Sequence, residues 1–290
     1  MIAPRPIVEW HIGGGKVLTL DRTYIMGILN VTPDSFSDGG KYAHVNAAVA
    51  RAYEMAAQGT DIIDIGGQST RPGHTPISPD EEWQRIQPVL SELTGSRDFH
   101  AVLSVDSYFP EVAGKAAAMG VQILNDVSGF RNYSMRCVAA QFQTGCVVMH
   151  SSQLKEDADV CEALRRFYLV MSNVCVADGI PARNLCFDPG VGFGKSYEQN
   201  LQIAASFEQQ CMEGYPMLAA ASRKRVIGMS CGNPPAEQRV SGTVAYHTAC
   251  LLGGAHILRV HDVPEAVQAA QVADAIVRSH SLAKIIKNRE

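Results

Sequence analysis

Long hydrophobic runs are missing from this 290-residue sequence. No apolar stretch approaches the ~20 residues that span a bilayer, so no membrane span is expected. The opening MIAPRPIVEW lacks the apolar segment of a secretory signal, and a cytoplasmic location is the expectation. Basic charge is not in excess either. A formal net charge of −4 leaves no electrostatic footprint for a nucleic acid. Cysteine does not occur before Cys137, and Cys137, Cys146, Cys161, Cys175, Cys186, Cys211, Cys231 and Cys250 contain no C-x-x-C pair. Most of these thiols lie in apolar settings such as GCVVM, which suits small buried hydrophobes better than a metal or disulfide framework. No His/Cys spacing suggests zinc, and no serine–histidine–acid order stands out.

What is present is a repeating unit. A short run rich in Val, Ile and Leu ends in a polar residue, and a helix-period segment follows. The runs are 24–31, 61–66, 101–106, 122–126, 146–150, 185–188, 217–222 and 257–260. Their helices are expected over 45–58, from Pro79, over 110–119, over 134–143, up to about 177, from Tyr197, from about Glu237 and from about Pro264. Ser78 is a natural N-cap and Pro79 a good first helical residue. Parallel strands need long crossovers, and eight strand–helix units close naturally into a (β/α)8 barrel. An open doubly wound sheet is the alternative. A hydrophobic content of 46% is ample for a large core. With no linker in view, the expectation is one barrel domain over 24–290, preceded by a lead-in over 1–23 in which HIGGGKVLTLD suggests a hairpin.

The stretch Leu185–Ser196, LCFDPGVGFGKS, looks at first like a phosphate cradle. Counting back from Gly194 puts Pro189 where a P-loop needs its first glycine. Proline offers no N–H, and the neighbouring carboxylate of Asp188 would repel phosphate. A carboxylate at a strand end beside glycines suits instead a flat ligand rich in N–H donors, with the glycines letting the ring approach the backbone. Asp188 is then expected to be the only buried anionic partner of such a ring, and Lys195 a structural or rim residue.

In a barrel, chemistry gathers at the C-terminal ends of the strands. Those ends carry Asn30, Asp64, Asp106, Asn125 with Asp126, His150, Asp188, Arg223 with Lys224, and Arg259 with His261. Asp and Asn end many strands for no catalytic reason, but here every strand delivers a polar group, and acids, bases and amides are all represented. Asp64, Asp106 and Asp188 suit N–H donors or a developing cation. Arg71, Arg223, Lys224, Arg259 and His261 suit an anion such as phosphate. Asn30 and a pyrophosphate oxygen would suffice for Mg²⁺, which needs few protein ligands. Two long loops, 32–42 and 68–78, carry Phe36 and Arg71 near their tips and are expected to be functional.

These residues resemble dihydropteroate synthase. The resemblance runs from about 24 to 280 and rests on GILNVTPDSFSDGG (27–40), IIDIGGQSTRPG (62–73), SVDS (104–107), ILNDVSG (123–129), MH (149–150), DPGVGFGK (188–195), SRK (222–224) and RVHDV (259–263). It implies a (β/α)8 barrel that joins 6-hydroxymethyl-7,8-dihydropterin pyrophosphate to p-aminobenzoate by an SN1-like route in folate synthesis. By the same resemblance, Asp106, Asn125, Asp188 and Lys224 hold the pterin, with Met149 and Phe193 against it. Asn30, Arg71, Arg259 and His261 take pyrophosphate, Asn30 with Mg²⁺. Phe36, Thr70, Arg71, Pro72 and Arg225 surround p-aminobenzoate. Catalysis falls to Asp34, Asp106, Lys224 and Arg259. A homodimer and sensitivity to sulfonamides are implied as well. Two positions depart from the pattern: Gln68 stands where glutamate is usual, and Arg225 follows Ser222-Arg223-Lys224 where serine is usual. The alternative is a non-catalytic or altered pterin-binding paralogue with a changed p-aminobenzoate pocket.

Overall fold

The short apolar runs become the staves of one parallel barrel. In the computed structural model, which describes residues 2, 3, 5–32, 41–68 and 76–287, they are β3 (Tyr24–Asn30), β4 (Ile62–Gly66), β5 (Val102–Asp106), β6 (Ile123–Asp126), β7 (Gly145–Met149), β8 (Leu185–Asp188), β9 (Leu218–Ala219) and β10 (Ile257–Val260). Apart from β8 and β9, each pairs in parallel with the next, and β10 pairs with β3. A bridge between Phe187 and Met217 closes the ring between β8 and β9. The structure is thus the expected (β/α)8 barrel rather than an open sheet.

The helices are α1 (Lys41–Ala57), α2 (Pro79–Gly95), α3 (Pro110–Ala118), α4 (Tyr133–Phe142), α5 (Val160–Ala177), α6 (Tyr197–Ala205), α7 (Phe207–Gln210), α8 (Arg225–Ser230), α9 (Val240–Leu252) and α10 (Val263–Lys287). Their starts are written locally. Ser78 Oγ accepts the Glu81 N–H and Pro79 opens α2, where a missing N–H costs nothing. Ser196 and Gln199 form a reciprocal capping box on α6. One expectation needs correction. The strand drawn over 217–222 is paired only at Leu218 and Ala219, with a single bridge at Met217, and its crossover begins with the short α8 directly after Lys224, not with a helix at Glu237.

Alternation along the staves sorts two cores. Outward residues such as Ile63, Ile65, Val105, Leu124 and Phe187 pack under the helices. Inward residues Met26, Ile62, Val102, Ile123, Val147, Cys186, Leu218 and Ile257 fill the barrel with Trp10, Ile12 and Leu20. Those last three belong to a hairpin of β1 (Val8–Ile12) and β2 (Lys16–Leu20). It plugs the N-terminal mouth: Trp10 is fully buried, and its Nε1–H donates to the Asn184 carbonyl at 2.8 Å, just before β8. With that end stoppered, the opposite rim is left for chemistry.

Candidate active site

Parity decides which strand-end residues face the rim. Asp64, Asp106, Asn125, Met149, Asp188 and Arg259 each fall an even number of residues after an inward core residue, and Asn30 follows Met26 by the same rule. Asp126 and His150, also strand-end residues, have the opposite parity. Asp126 accepts the Ser128 and Phe130 N–H groups and shapes the turn after β6. His150 is buried, edge-on to Phe167 with ring centroids 4.9 Å apart.

Arg259 is the centre of the rim. Its Nε–H donates to Asp64 Oδ2 and its Nη2–H to Asp106 Oδ2, both at 2.6 Å. Asp64 also accepts Ser104 Oγ–H at 2.6 Å and Asn125 Nδ2–H at 2.8 Å. Asp64 is therefore not available to a ligand; it orients Arg259 and Asn125. The flanking carboxylates outweigh desolvation and hold the Arg259 guanidinium charged well above its ordinary range. Asp106 Oδ1, in contrast, is buried without a hydrogen-bond partner among the described residues. It is an acceptor waiting for a donor. Burial raises the Asp106 carboxyl above its ordinary value, against the pull of Arg259.

Asp188 and Lys224 face each other electrostatically across the rim. Asp188 is 2% exposed and accepts the Gly190 N–H at 2.7 Å. Burial raises its pKa, and Lys224 opposes the rise. Lys224 Nζ donates to the Val191 carbonyl at 2.7 Å and lies 4.8 Å from the centroid of the Phe193 ring. Burial pushes its ammonium down to about 8, against the attraction of Asp188. Two buried carboxylates, Asp64 and Asp106, accompany Asp188, so it is not the only buried anion of the site.

On the cationic side, His261 N–H donates to Ser222 Oγ at 3.1 Å, and its Nδ1 lies 3.0 Å from the same hydroxyl. Asn30 is half-buried and its amide makes no hydrogen bond among the described residues. Gly66 leaves room between it and Asp106: a Cβ there would lie 3.6 Å from Asp106 Cβ and 3.7 Å from Asn30 Oδ1. Arg223, grouped with the anion binders on sequence, is instead bonded to Asp262 through both Nε and Nη2. Arg225 is exposed at the first position of α8 and makes no side-chain hydrogen bond among the described residues. Asp34, Phe36, Thr70, Arg71 and Pro72 lie outside the described residues.

The glycine-rich turn acquires a different explanation. A Cβ on Gly190 would lie 2.0 Å from the His150 carbonyl oxygen, and one on Gly194 2.4 Å from that of Ser152. These glycines let the turn pack against the chain after β7; they do not clear space for a ring. Gly192 alone of the three faces the rim, at the Lys224 side chain. Lys195 fastens the turn from behind. Its Nζ lies 3.0–3.2 Å from four acceptors, His150 Nδ1 and the carbonyls of His150, Gly190 and Phe193, which share its three N–H groups. Burial and the nearby cations lower the His150 pKa to about 4, so the neutral ring offers that lone pair.

Sequence reasoning did not single out Glu82 or the role of Asp64 as a clamp. A glutamate in the first turn of a helix reads as an exposed dipole partner, and only the packing shows it buried.

The family model described as pterin binding enzyme matches residues 26–261. A dihydropteroate synthase from Clostridium beijerinckii is 42% identical over 272 residues, covering 93% of this chain and 97% of the relative. The structure of Xanthomonas albilineans dihydropteroate synthase with 4-aminobenzoic acid superposes with a TM-score of 0.87 at 41% identity, covering 93% of this chain and 98% of that one. The same enzyme in complex with 7,8-dihydropteroate gives a TM-score of 0.84 at 40% identity, again covering 93% of this chain and 98% of the other.

Proposed function

The chain belongs to the pterin binding enzyme family, and on that premise we infer that it is a dihydropteroate synthase. It condenses 6-hydroxymethyl-7,8-dihydropterin pyrophosphate with p-aminobenzoate to give 7,8-dihydropteroate and pyrophosphate. The observation that carries the assignment to the rim is the pairing of a clamped, permanently charged Arg259 with an Asp106 oxygen that has no partner among the described residues. One anchors an anionic leaving group, and the other meets a ring rich in donors. The relatives named above are synthases, and none of them supports a non-catalytic pterin binder.

Asp106 Oδ1 and Asp188 would accept the pterin N–H groups, Asn125 and the Lys224 ammonium would supply donors, and Met149 and Phe193 would flank the ring. Arg259 and His261 would hold the pyrophosphate as its C–O bond breaks. The route is SN1-like: the pterin methylene carries the positive charge until the aniline nitrogen attacks and loses a proton. Preorganised carboxylates stabilise that cation without reorienting. The half-buried Asn30 amide, without a hydrogen-bond partner among the described residues, fits a hard cation that keeps most of its waters, so Asn30 would hold Mg²⁺. When bound there it neutralises charge on the leaving group. Asp34, Phe36, Thr70, Arg71 and Pro72 would serve the second substrate and its attack. We further propose a cytoplasmic homodimer that sulfonamides inhibit. Eight free cysteines agree with a reducing compartment, and among the described residues no helix is long and apolar enough to cross a membrane.

A coupled assay of pyrophosphate release tests the assignment. Release that depends on p-aminobenzoate and Mg²⁺, with dihydropteroate as product, is expected. Absence of dihydropteroate at saturating substrates would overturn it.

Two further outcomes follow from the rim. Lys224 loses its charge as pH rises through about 8, so kcat/KM for the pterin substrate is expected to fall above that pH. The sign for stability is opposite. A lysine lowered from 10.5 penalises the folded state while charged, and the penalty fades as pH rises from about 8 toward 10.5. A flat kcat/KM profile between pH 7 and 9.5 would remove Lys224 from the site. Arg225→Ser is expected to shift the p-aminobenzoate KM or the sulfonamide inhibition constant several-fold, because a charge-assisted contact to a carboxylate is stronger than a neutral one. If steady-state titration moves neither, Arg225 lies outside the pocket.

A further inference from the structure

Beside the rim, the first turn of α2 seals in a carboxyl that the reaction scheme does not use. Glu82 is fully buried. Gly67 packs directly on it: a Cβ at Gly67 would lie 2.8 Å from Glu82 Cγ and 3.0 Å from its carbonyl oxygen. Ser107 Oγ–H donates to Glu82 Oε2 at 2.8 Å, while Oε1 has no partner among the described residues. Gln68 Nε2, a buried donor close enough to favour the Glu82 anion, is likewise without a well-formed bond. Gln68 Oε1 accepts the Tyr108 hydroxyl at 3.3 Å.

Two charged groups bear on Glu82 from the elements around it. Asp106 at the end of β5 disfavours its ionisation, and Arg85 on α2 favours it. Arg85 is already engaged with Glu81 at 2.6 Å and with the Gly67 carbonyl at 2.9 Å. A sealed carboxylate with one good hydrogen bond is poorly compensated, so the neutral acid fits this cavity. Burial, with Asp106 adding to it, pushes Glu82 up to about 7 despite the Ser107 bond.

Ser107 directly follows Asp106. Its N–H donates to the Asn125 carbonyl at 3.1 Å, and its Oγ accepts the Phe109 N–H at 3.2 Å. Whatever holds Ser107 therefore holds the ends of β5 and β6 together, with Asp106 and Asn125 on them.

We propose that Glu82 is a positioning residue for Asp106: as the neutral acid it fastens Ser107 in a dry setting beside the rim, and the water that its anion draws in outweighs the stronger Ser107 bond and loosens the end of β5. The proposal rests on the assignment of Asp106 to the pterin, and it adds a residue that touches no substrate.

The test compares the wild type with Glu82→Gln, a neutral isostere that can still accept the Ser107 hydroxyl. Dissociation constants for 6-hydroxymethylpterin are measured by calorimetry from pH 6 to 8.5. The ratio of wild-type to variant constants cancels titration of the ligand and of rim groups that do not interact with Glu82. That ratio is expected to be constant below about pH 7 and to rise above it by at most tenfold per unit, since one proton is lost. Ser107→Ala removes a donor that stabilises the anion, so the rise should move to higher pH. Should Glu82→Gln fail to fold, the ratio of wild-type to Ser107→Ala constants replaces it and is expected to rise over the same interval, because Glu82 ionises first in the wild type. A ratio constant across the range, or a rise that Ser107→Ala leaves in place, overturns the proposal. Amide exchange of ligand-free protein over residues 103–110 separates the two levels of inference. Faster exchange in the wild type than in Glu82→Gln at pH 8.5, with equal rates at pH 6, supports the role of Glu82 even if the pterin fails to bind. Equal rates at both pH values exclude it.

Discussion

Arg259→Ala is expected to lower dihydropteroate formation by at least roughly 100-fold and to cost the fold about 3–5 kcal/mol. The size follows from what the guanidinium holds. It bridges Asp64, which is fully buried, and Asp106, with one 2.6 Å bond to each. Removing it strands two carboxylates close together, and Asp64 has no exposed surface through which to recover a lost partner. Loss of the proposed donor to the leaving pyrophosphate should lower turnover by roughly 10²–10³-fold on its own. Arg259→Lys should recover some stability and little activity, because a single ammonium cannot match the planar fork that spans both acids. Adding Asp64→Asn to Arg259→Ala should restore part of the stability by removing one stranded charge. Denaturant unfolding and pyrophosphate release are the measurements. A variant that turns over within tenfold of wild type, with an unchanged unfolding midpoint, would show that the clamp is not the centre of the site.

The second large effect is on the ring. Asp188→Ala is expected to weaken pterin binding by about 2–5 kcal/mol, because it leaves buried ligand donors unmatched. In dissociation constants this is roughly 30-fold to several thousand-fold. The fold should tolerate the change better than it tolerates loss of Arg259. Burial disfavours the Asp188 anion, so the alanine removes a penalty along with the Gly190 hydrogen bond. Asp188→Asn separates these contributions: it can still accept the Gly190 N–H, yet it presents a donor and no charge to the ligand. Calorimetry should find it folded and nearly as weak for the pterin as the alanine variant. An unchanged affinity in Asp188→Ala would remove Asp188 from the pocket, and Asp106, whose Oδ1 has no partner among the described residues, would become the principal acceptor.

The barrel was legible because its signals are local and repeated. Short apolar runs, polar strand ends and helical segments recur eight times, and Ser78-Pro79 or Ser196 with Gln199 marks a helix start through contacts only three residues apart. The hairpin motif HIGGGKV is local too, but nothing in it tells that Trp10 closes the barrel mouth, a contact that reaches Asn184.

The site was legible as a set of residue types and illegible as a set of partners. Side-chain direction alternates along a strand, so a one-residue difference sends Asn125 to the rim and Asp126 to a turn. The register between neighbouring strands, invisible in any one of them, places Asp64 beside Ser104 and Asp106 beside Asn125. Charge pairing was hidden for the same reason. Arg223 and Arg259 look alike in sequence, yet one is held by Asp262 at the side and the other lies between two acids at the centre.

At LCFDPGVGFGKS, the chain alone excludes a phosphate cradle, since Pro189 has no N–H to offer and Asp188 would repel the anion. Only the tertiary structure shows why the glycines and Lys195 are there. Gly190 and Gly194 meet the backbone after β7 at distances no Cβ allows, and Lys195 gathers carbonyls from both segments. Composition and spacing say which groups a stretch can offer. Which of them remain available to a ligand depends on distant residues folding against it, because a buried polar group binds whatever partner the packing brings within about 3 Å.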